Sequence, residues 1–250
     1  MRLSLVAGLA AYCFCVPALA QEKEAVADSK QASTQTAETF EVTMKLNYLL
    51  HLPADYKSKA DGGGKKWPLL VFLHGAGERG SDLNRVKSHG PPKLVENDPD
   101  FPFVLISPQC PGGGFWNTEH LLQLIQSTIE EHNIDPDRVY LTGLSMGGFG
   151  SWALAAEAPE MFAAVAPVCG GGDPRTAGKL KDMPIWVFHG DADRVVPISS
   201  SQRMVDAVKG AGNEQIEFTI YQDVGHDSWT ETYANKDLYS WFLKHQRAKK

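Results

Sequence analysis

The sequence predicts an α/β fold, a doubly wound and mostly parallel sheet with helices on both faces, and three observations carry that expectation. Short, nearly continuous apolar runs recur through the middle of the chain, each bounded by Gly, Pro or Asp, as strands buried on both faces require. Segments with helical spacing separate them. Two outlying runs instead alternate apolar with polar residues, which suits strands at the edges of a sheet.

In chain order, the first outlying run is 43–54. The buried-strand candidates follow at 68–74, 103–108, 138–143, 162–169 and 185–189, and the second alternating run is 217–222. Between them, Leu121, Leu122, Leu124, Ile125, Ile129 and His132 can share one helix face, as can Met204, Val205 and Val208 before the Gly210-Ala211-Gly212 stop. The loops at 75–101 and 108–118 are long and rich in Gly, Pro and Asn, a composition common where loops shape a binding site.

The chain has 250 residues and a formal net charge of −6. Residues 1–20 carry one basic residue, an apolar run and the ending Ala18-Leu19-Ala20, which predicts a signal peptide cut after Ala20 and a secreted or periplasmic protein. Residues 21–39 are polar and without apolar period, a flexible leader. That leaves 40–250 as one domain of a size to bury a substantial core. No further long apolar run follows, so no stable membrane insertion is expected after cleavage. The acidic balance, without a basic patch, argues against nucleic acid as a partner. Cys110 and Cys169 remain after cleavage, and spacing leaves open a disulfide or two buried free thiols.

The chemistry concentrates at Gly143-Leu144-Ser145-Met146-Gly147, a G-x-S-x-G motif after a predicted strand and before a helical segment. In that context the motif is a nucleophile elbow, which lifts the Ser145 hydroxyl above the sheet at a helix amino terminus. The base and acid of such sites follow the nucleophile in the order acid, then histidine. His226, in the turn after the last predicted strand, is the expected base. His245 reads as a solvated residue of the terminal helix. The loop after 185–189 offers Asp193 and Asp191 as the acid, and spacing alone leaves both open. Asp227 is too close to His226 to orient its ring and reads as structural. The oxyanion donors are expected at the N–H of Met146 and of Ala76, with Gly77 in reserve, since small residues after an early strand let backbone approach a bound carbonyl. His74 is expected to hold that loop, and Arg79 to pair with Asp82. Trp116 is the preferred candidate for substrate binding by stacking, ahead of Trp229, although loop packing is the commoner fate of either. No metal or other cofactor is called for.

Six blocks carry a family resemblance: 73–81, 107–111, 137–155, 167–174, 186–197 and 224–229. In this order they resemble a bacterial group of secreted α/β-hydrolases, called predicted peptidases or phospholipase/carboxylesterase-like proteins and related to feruloyl and acetyl-xylan esterases. The resemblance implies an α/β-hydrolase fold and a Ser-Asp-His triad whose acid stands three residues after the Gly of H-G-x-x-D. Here that residue is Asp193. It also implies a small-molecule or polysaccharide-linked ester as substrate. The function expected is ester hydrolysis through an acyl-enzyme. A serine peptidase of prolyl-oligopeptidase type and a catalytically silent binding protein on the same fold are the alternatives.

Overall fold

The computed structural model describes residues 38–39, 45–60 and 64–247. By its contacts the chain divides into two units, Met1–Thr43 and Met44–Lys250. The expected signal peptide, and the leader up to residue 37, lie outside the described residues. The second unit carries the fold.

Seven strands form one sheet among the described residues: β1 (Tyr48–His51), β2 (Trp67–Leu73), β3 (Val104–Pro108), β4 (Ile134–Leu144), β5 (Ala164–Val168), β6 (Ile185–Gly190) and β7 (Ile216–Tyr221). Their spatial order is β1-β3-β2-β4-β5-β6-β7. The β1 strand runs antiparallel to β3, with Tyr48 opposite Pro108, and every other pairing is parallel. The two runs whose alternation marked them as edges are the two edges.

The continuous apolar runs have a direct cause. Side chains of a strand point alternately to opposite faces, and both faces of this sheet are covered. Leu69, Val71 and Leu73 of β2 join a core with α2 (Thr118–Glu131), α3 (Met146–Glu157) and α4 (Ser199–Gly210). Leu70 and Phe72 of the same strand join a second core with Tyr233 of α5 (Ser228–Ala234) and Leu238, Trp241 and Phe242 of α6 (Lys236–Lys244). A short helix, α1 (Gly90–Leu94), and three 3₁₀ segments lie in the loops.

Some elements were not legible beforehand. The α1 helix has a Gly and two prolines at its start, and α5 is one of two short helices broken at Asn235, whose side chain caps α6. His245 is not a solvated helical residue. It follows the end of α6, is half-buried, and packs its ring on Trp241 at 4.6 Å. Burial holds its imidazole below the ordinary value. Cys110 and Cys169 are both buried free thiols.

Candidate active site

Ser145 sits where β4 turns into α3. Its N–H donates to the carbonyl of Val168 at the end of β5 (3.0 Å), and its backbone is held at φ 52°, ψ −115°. A non-glycine residue at positive φ is strained, by about 1–3 kcal/mol, and the surroundings must enforce it. They do so through close approach. A Cβ on Gly147 would strike the Leu73 carbonyl, and one on Gly143 would strike the backbone of Gly147, so strand and helix pack closely enough to force the turn.

Two loops bring the partners. His226 follows β7 and Asp193 follows β6. The Nε2 of His226 lies 2.9 Å from Oγ of Ser145, and its Nδ1 lies 2.7 Å from Oδ2 of Asp193. A carboxylate only accepts, so Nδ1 carries the proton and the Nε2 lone pair faces the serine hydroxyl. Asp193 Oδ1 accepts the N–H groups of Val195 (2.8 Å) and Val196 (2.9 Å). Burial works against its charged form, but the bonds from His226 and the two backbone donors outweigh it and hold the carboxyl below its ordinary value. The Asp193 side chain is fully buried and His226 keeps 18 % of its exposure, so the imidazole is reachable from solvent and the carboxylate is not.

Of the two acids in this loop, the one on the histidine is Asp193. Asp191 accepts the N–H of Asp223 (2.7 Å) and so ties the loop after β6 to the loop that carries His226. Asp227 caps α5, accepting from the N–H of Thr230.

The two expected oxyanion donors begin helical turns. Met146 opens α3 and Ala76 opens a 3₁₀ turn (Ala76–Glu78), and neither turn has a side-chain cap. First-turn N–H groups have no partner within their own helix. Gly75 lies against Ser145: a Cβ built on it would stand 3.6 Å from the serine Cβ. His74 holds this loop as expected. Its Nδ1 donates to the Gly75 carbonyl (2.6 Å) and its Nε2 accepts from the N–H of Cys110 (3.0 Å). That pattern needs a neutral ring, and burial holds His74 below the ordinary histidine value.

One expectation is corrected. Arg79 does not pair with Asp82. It donates to the carbonyls of Ala76 and Gly114 (3.0 Å each), clamping the loop after β2 to the loop after β3, while Asp82 caps the N–H of Asn84. The aromatic ring beside His226 is Trp229, 5.2 Å away and edge to face. Trp116 stands instead edge-on to His74 at 4.8 Å, packed against the core, and a Cβ on Gly150 would strike its ring.

His189 precedes both acids of its loop, so the order acid-then-histidine excludes it as the base. The structure places it on Asp193, with Nε2 3.2 Å from Oδ2. Among the described residues, no cluster of three or more His, Cys, Asp or Glu has the arrangement to hold a metal ion.

A serine, a histidine and an aspartate thus meet at the ends of β4, β7 and β6. The model of the dienelactone hydrolase family matches residues 116–243, just over half of the chain and all three of these positions. The chain belongs to the dienelactone hydrolase family. Among solved structures, this member of the family is similar to a thermostable esterase, at 34 % identity and a TM-score of 0.70 over 81 % of this chain and 60 % of that one. It is 28 % identical over 182 residues to a bifunctional acetylxylan esterase/xylanase of Neocallimastix patriciarum, covering 70 % of this chain and 26 % of the relative. It is 26 % identical to a probable feruloyl esterase C of Aspergillus terreus, covering 64 % and 59 %. The chain therefore spans about a quarter of the acetylxylan esterase/xylanase and about three-fifths of the other two.

Proposed function

We propose that the chain is a serine hydrolase that cleaves carboxylic esters through an acyl-enzyme, with Ser145 as nucleophile, His226 as base and Asp193 as the acid that orients it. The observation that carries this reading is the connected pair of hydrogen bonds, 2.9 Å from Ser145 Oγ to His226 Nε2 and 2.7 Å from His226 Nδ1 to Asp193 Oδ2. Three side chains from three separate loops meet in the tautomeric order the reaction needs.

The chemistry follows from the donors. As Ser145 Oγ bonds to the ester carbonyl carbon, its proton passes to His226 Nε2, and the imidazolium is stabilised by Asp193. Negative charge moves to the former carbonyl oxygen, beside the N–H groups of Met146 and Ala76. Collapse of the intermediate breaks the bond to the alcohol oxygen, which takes the proton from His226. Water, deprotonated by the same imidazole, then releases the acid.

For the substrate we propose a small acyl ester carried by an alcohol or a polysaccharide. The relatives named as acetylxylan and feruloyl esterases support this class. The expected export of the chain, through residues 1–20, is compatible with a polymer-linked substrate.

The test is an ester panel on purified protein: short p-nitrophenyl esters, methyl ferulate and acetylated xylan, each beside an amide with the same acyl group. Esters are expected to be cleaved far faster than amides, because an amine must be protonated in place to leave. An amide turned over within about tenfold of its ester, a barrier difference of about 1.4 kcal/mol, would move the reading to a peptidase. A fluorophosphonate probe is expected to label Ser145.

A further inference from the structure

Asp193 is held by more than the His226 bond, and the account of its four acceptor positions is complete. An ionised carboxylate offers about four lone-pair sites on two oxygens. Oδ1 takes the N–H groups of Val195 and Val196, and Oδ2 takes His226 Nδ1 at 2.7 Å and His189 Nε2 at 3.2 Å. His189 is fully buried at the end of β6.

The proton on His189 can be placed from its neighbours. Its Nε2 faces only acceptors, the Asp193 carboxylate and the carbonyl of Val196 at 2.9 Å, so it carries a hydrogen. Its Nδ1 lies 2.7 Å from Oγ of Ser201, a fully buried residue of α4, whose hydroxyl is also 2.7 Å from the carbonyl of Gly170 after β5. One ring thereby links α4 and the loop after β5 to the acid of the triad. A structural histidine would be satisfied anywhere in the core. This one divides its Nε2–H between the Val196 carbonyl at 2.9 Å and, at 3.2 Å, the same oxygen that orients His226.

We propose that His189 is a positioning residue for the reaction at Ser145: a second histidine on Asp193 that fills the remaining site of Oδ2 and fixes the carboxylate against rotation, so that His226 is held on line with the serine. The proposal rests on the hydrolase reading given above. The titratable groups facing Asp193 are His226 from the loop after β7, His189 from β6 and the thiol of Cys169 from the end of β5, which also faces Asp227; from α4, the neutral Ser201 hydroxyl faces His189.

The experiment uses two variants and one measurement free of catalysis. His189→Phe keeps a ring in the space and removes both nitrogens, whereas His189→Gln can place an amide N–H where Nε2 stood. For His189→Phe, kcat on a p-nitrophenyl ester is expected to fall about 10- to 100-fold with KM little changed, the scale of a misplaced catalytic group. The acid limb of its kcat/KM profile is expected at higher pH, because a carboxylate with one donor fewer leaves more of its charge to His226. His189→Gln is expected to restore most of kcat and return the limb. Histidine ¹⁵N–¹H spectra of the whole protein are expected to show a slowly exchanging Nε2–H on His189, which also covers the case in which the Phe variant does not fold.

A His189→Phe enzyme with wild-type kcat and an unmoved limb would overturn the proposal. So would a Gln variant as impaired as the Phe one, or a His189 without a proton on Nε2. If instead the wild type neither cleaves esters nor takes the probe at Ser145, the hydrolase reading fails, and the spectra still report separately on the Asp193 contact.

Discussion

The imidazole Nε2 of His226 lies 2.9 Å from the hydroxyl of Ser145 across 81 residues of chain. The two side chains leave β7 and β4, with β5 and β6 between them in the sheet. Three strand spacings are about 14 Å, so the loop after β7 has to fold back over β6 to close the distance. The structure contains the devices that do this. The N–H of Ala192 donates to the Val224 carbonyl and that of Asp191 to the Tyr221 carbonyl, at 3.0 Å each, and Asp191 Oδ1 takes the N–H of Asp223. A side chain on Gly190 would strike the Val224 carbonyl, which is how near the loop passes.

The two acids of the loop after β6 therefore do different work, and substitution separates them. Asp193→Asn is expected to lower kcat about 10⁴-fold, because the amide cannot hold the same imidazole tautomer. Asp191→Asn keeps an acceptor for the Asp223 N–H, and is expected to cost less than about tenfold. Steady-state kinetics on one ester decide it; reversed effects would give the acid role to Asp191.

Asp193 also predicts a pH dependence of stability. Its carboxyl sits below the ordinary 3.8 when folded, so the folded chain releases that proton more readily than the unfolded one. The contribution is fully present above the ordinary carboxyl value and is lost as pH falls through the lowered one. Urea unfolding between pH 3 and 7 is expected to show a wild-type advantage over Asp193→Asn that is flat at neutral pH and shrinks toward the acid end.

Much of this arrangement was legible in the sequence for a physical reason. The runs at 68–74 and 138–143 are nearly continuously apolar because residues such as Leu69 and Leu70 face opposite cores, and G-x-S-x-G between such a strand and a helix has few other uses. Spacing could not choose between Asp191 and Asp193, two residues apart in one turn, since the choice depends on where a loop 30 residues later folds back; the family resemblance made it. Nor could spacing show that Arg79 reaches Gly114, or that Trp229 rather than Trp116 meets His226, because those contacts lie between loops without a period. The contact of His189 with Asp193 is likewise invisible to the acid-then-histidine order, which applies to bases and not to residues beside the acid.

The strain at Ser145 gives a test that couples stability to activity. Ser145→Ala is expected to lower ester hydrolysis about 10⁶-fold and to abolish probe labelling while the fold persists. Ser145→Gly is expected to be equally inactive yet more stable than Ser145→Ala by about 1 kcal/mol, because glycine adopts φ 52° without a Cβ penalty. Denaturant midpoints measure the difference. A glycine variant no more stable than the alanine variant would mean that the elbow stores no strain at this residue.

The glycines of the oxyanion loop are expected to differ among themselves. A Cβ on Gly77 meets nothing within 4 Å, so Gly77→Ala is expected to keep wild-type stability and kcat. A Cβ on Gly75 would stand 2.8 Å from Leu144 and 3.2 Å from the Glu78 carboxylate, beside Ser145. Gly75→Ala is therefore expected to displace the Ala76 N–H and lower kcat by about 10²-fold, the scale of one oxyanion donor, with KM less affected. Equal losses at both positions would give the second donor to Gly77.

The last prediction concerns Trp229 and Trp116, whose surroundings call for opposite outcomes. Trp229 stands edge-on to His226 at 5.2 Å and also meets His89, with ring centroids 5.5 Å apart, and is half-buried at the margin of the second core. Its ring borders the reacting imidazole from the edge of that core. Removing it by Trp229→Ala is expected to loosen His226 and lower kcat about tenfold, at a stability cost near 1 kcal/mol, the edge-to-face contribution being of that order. Trp116 is wedged between His74 and α3 at Gly150 and packs on the larger core. Trp116→Ala leaves a hole under the oxyanion loop, and is expected to destabilise the chain by about 3 kcal/mol, at the low end for a large aromatic because the ring is only half-buried. Its kinetic effect is expected to follow the loop, through kcat, with no change in preference among esters of different acyl size. Thermal unfolding and an acyl-length series on both variants separate the two roles. A Trp116→Ala enzyme of normal stability that changes its acyl preference would place the substrate against Trp116 and return the packing role to its neighbours.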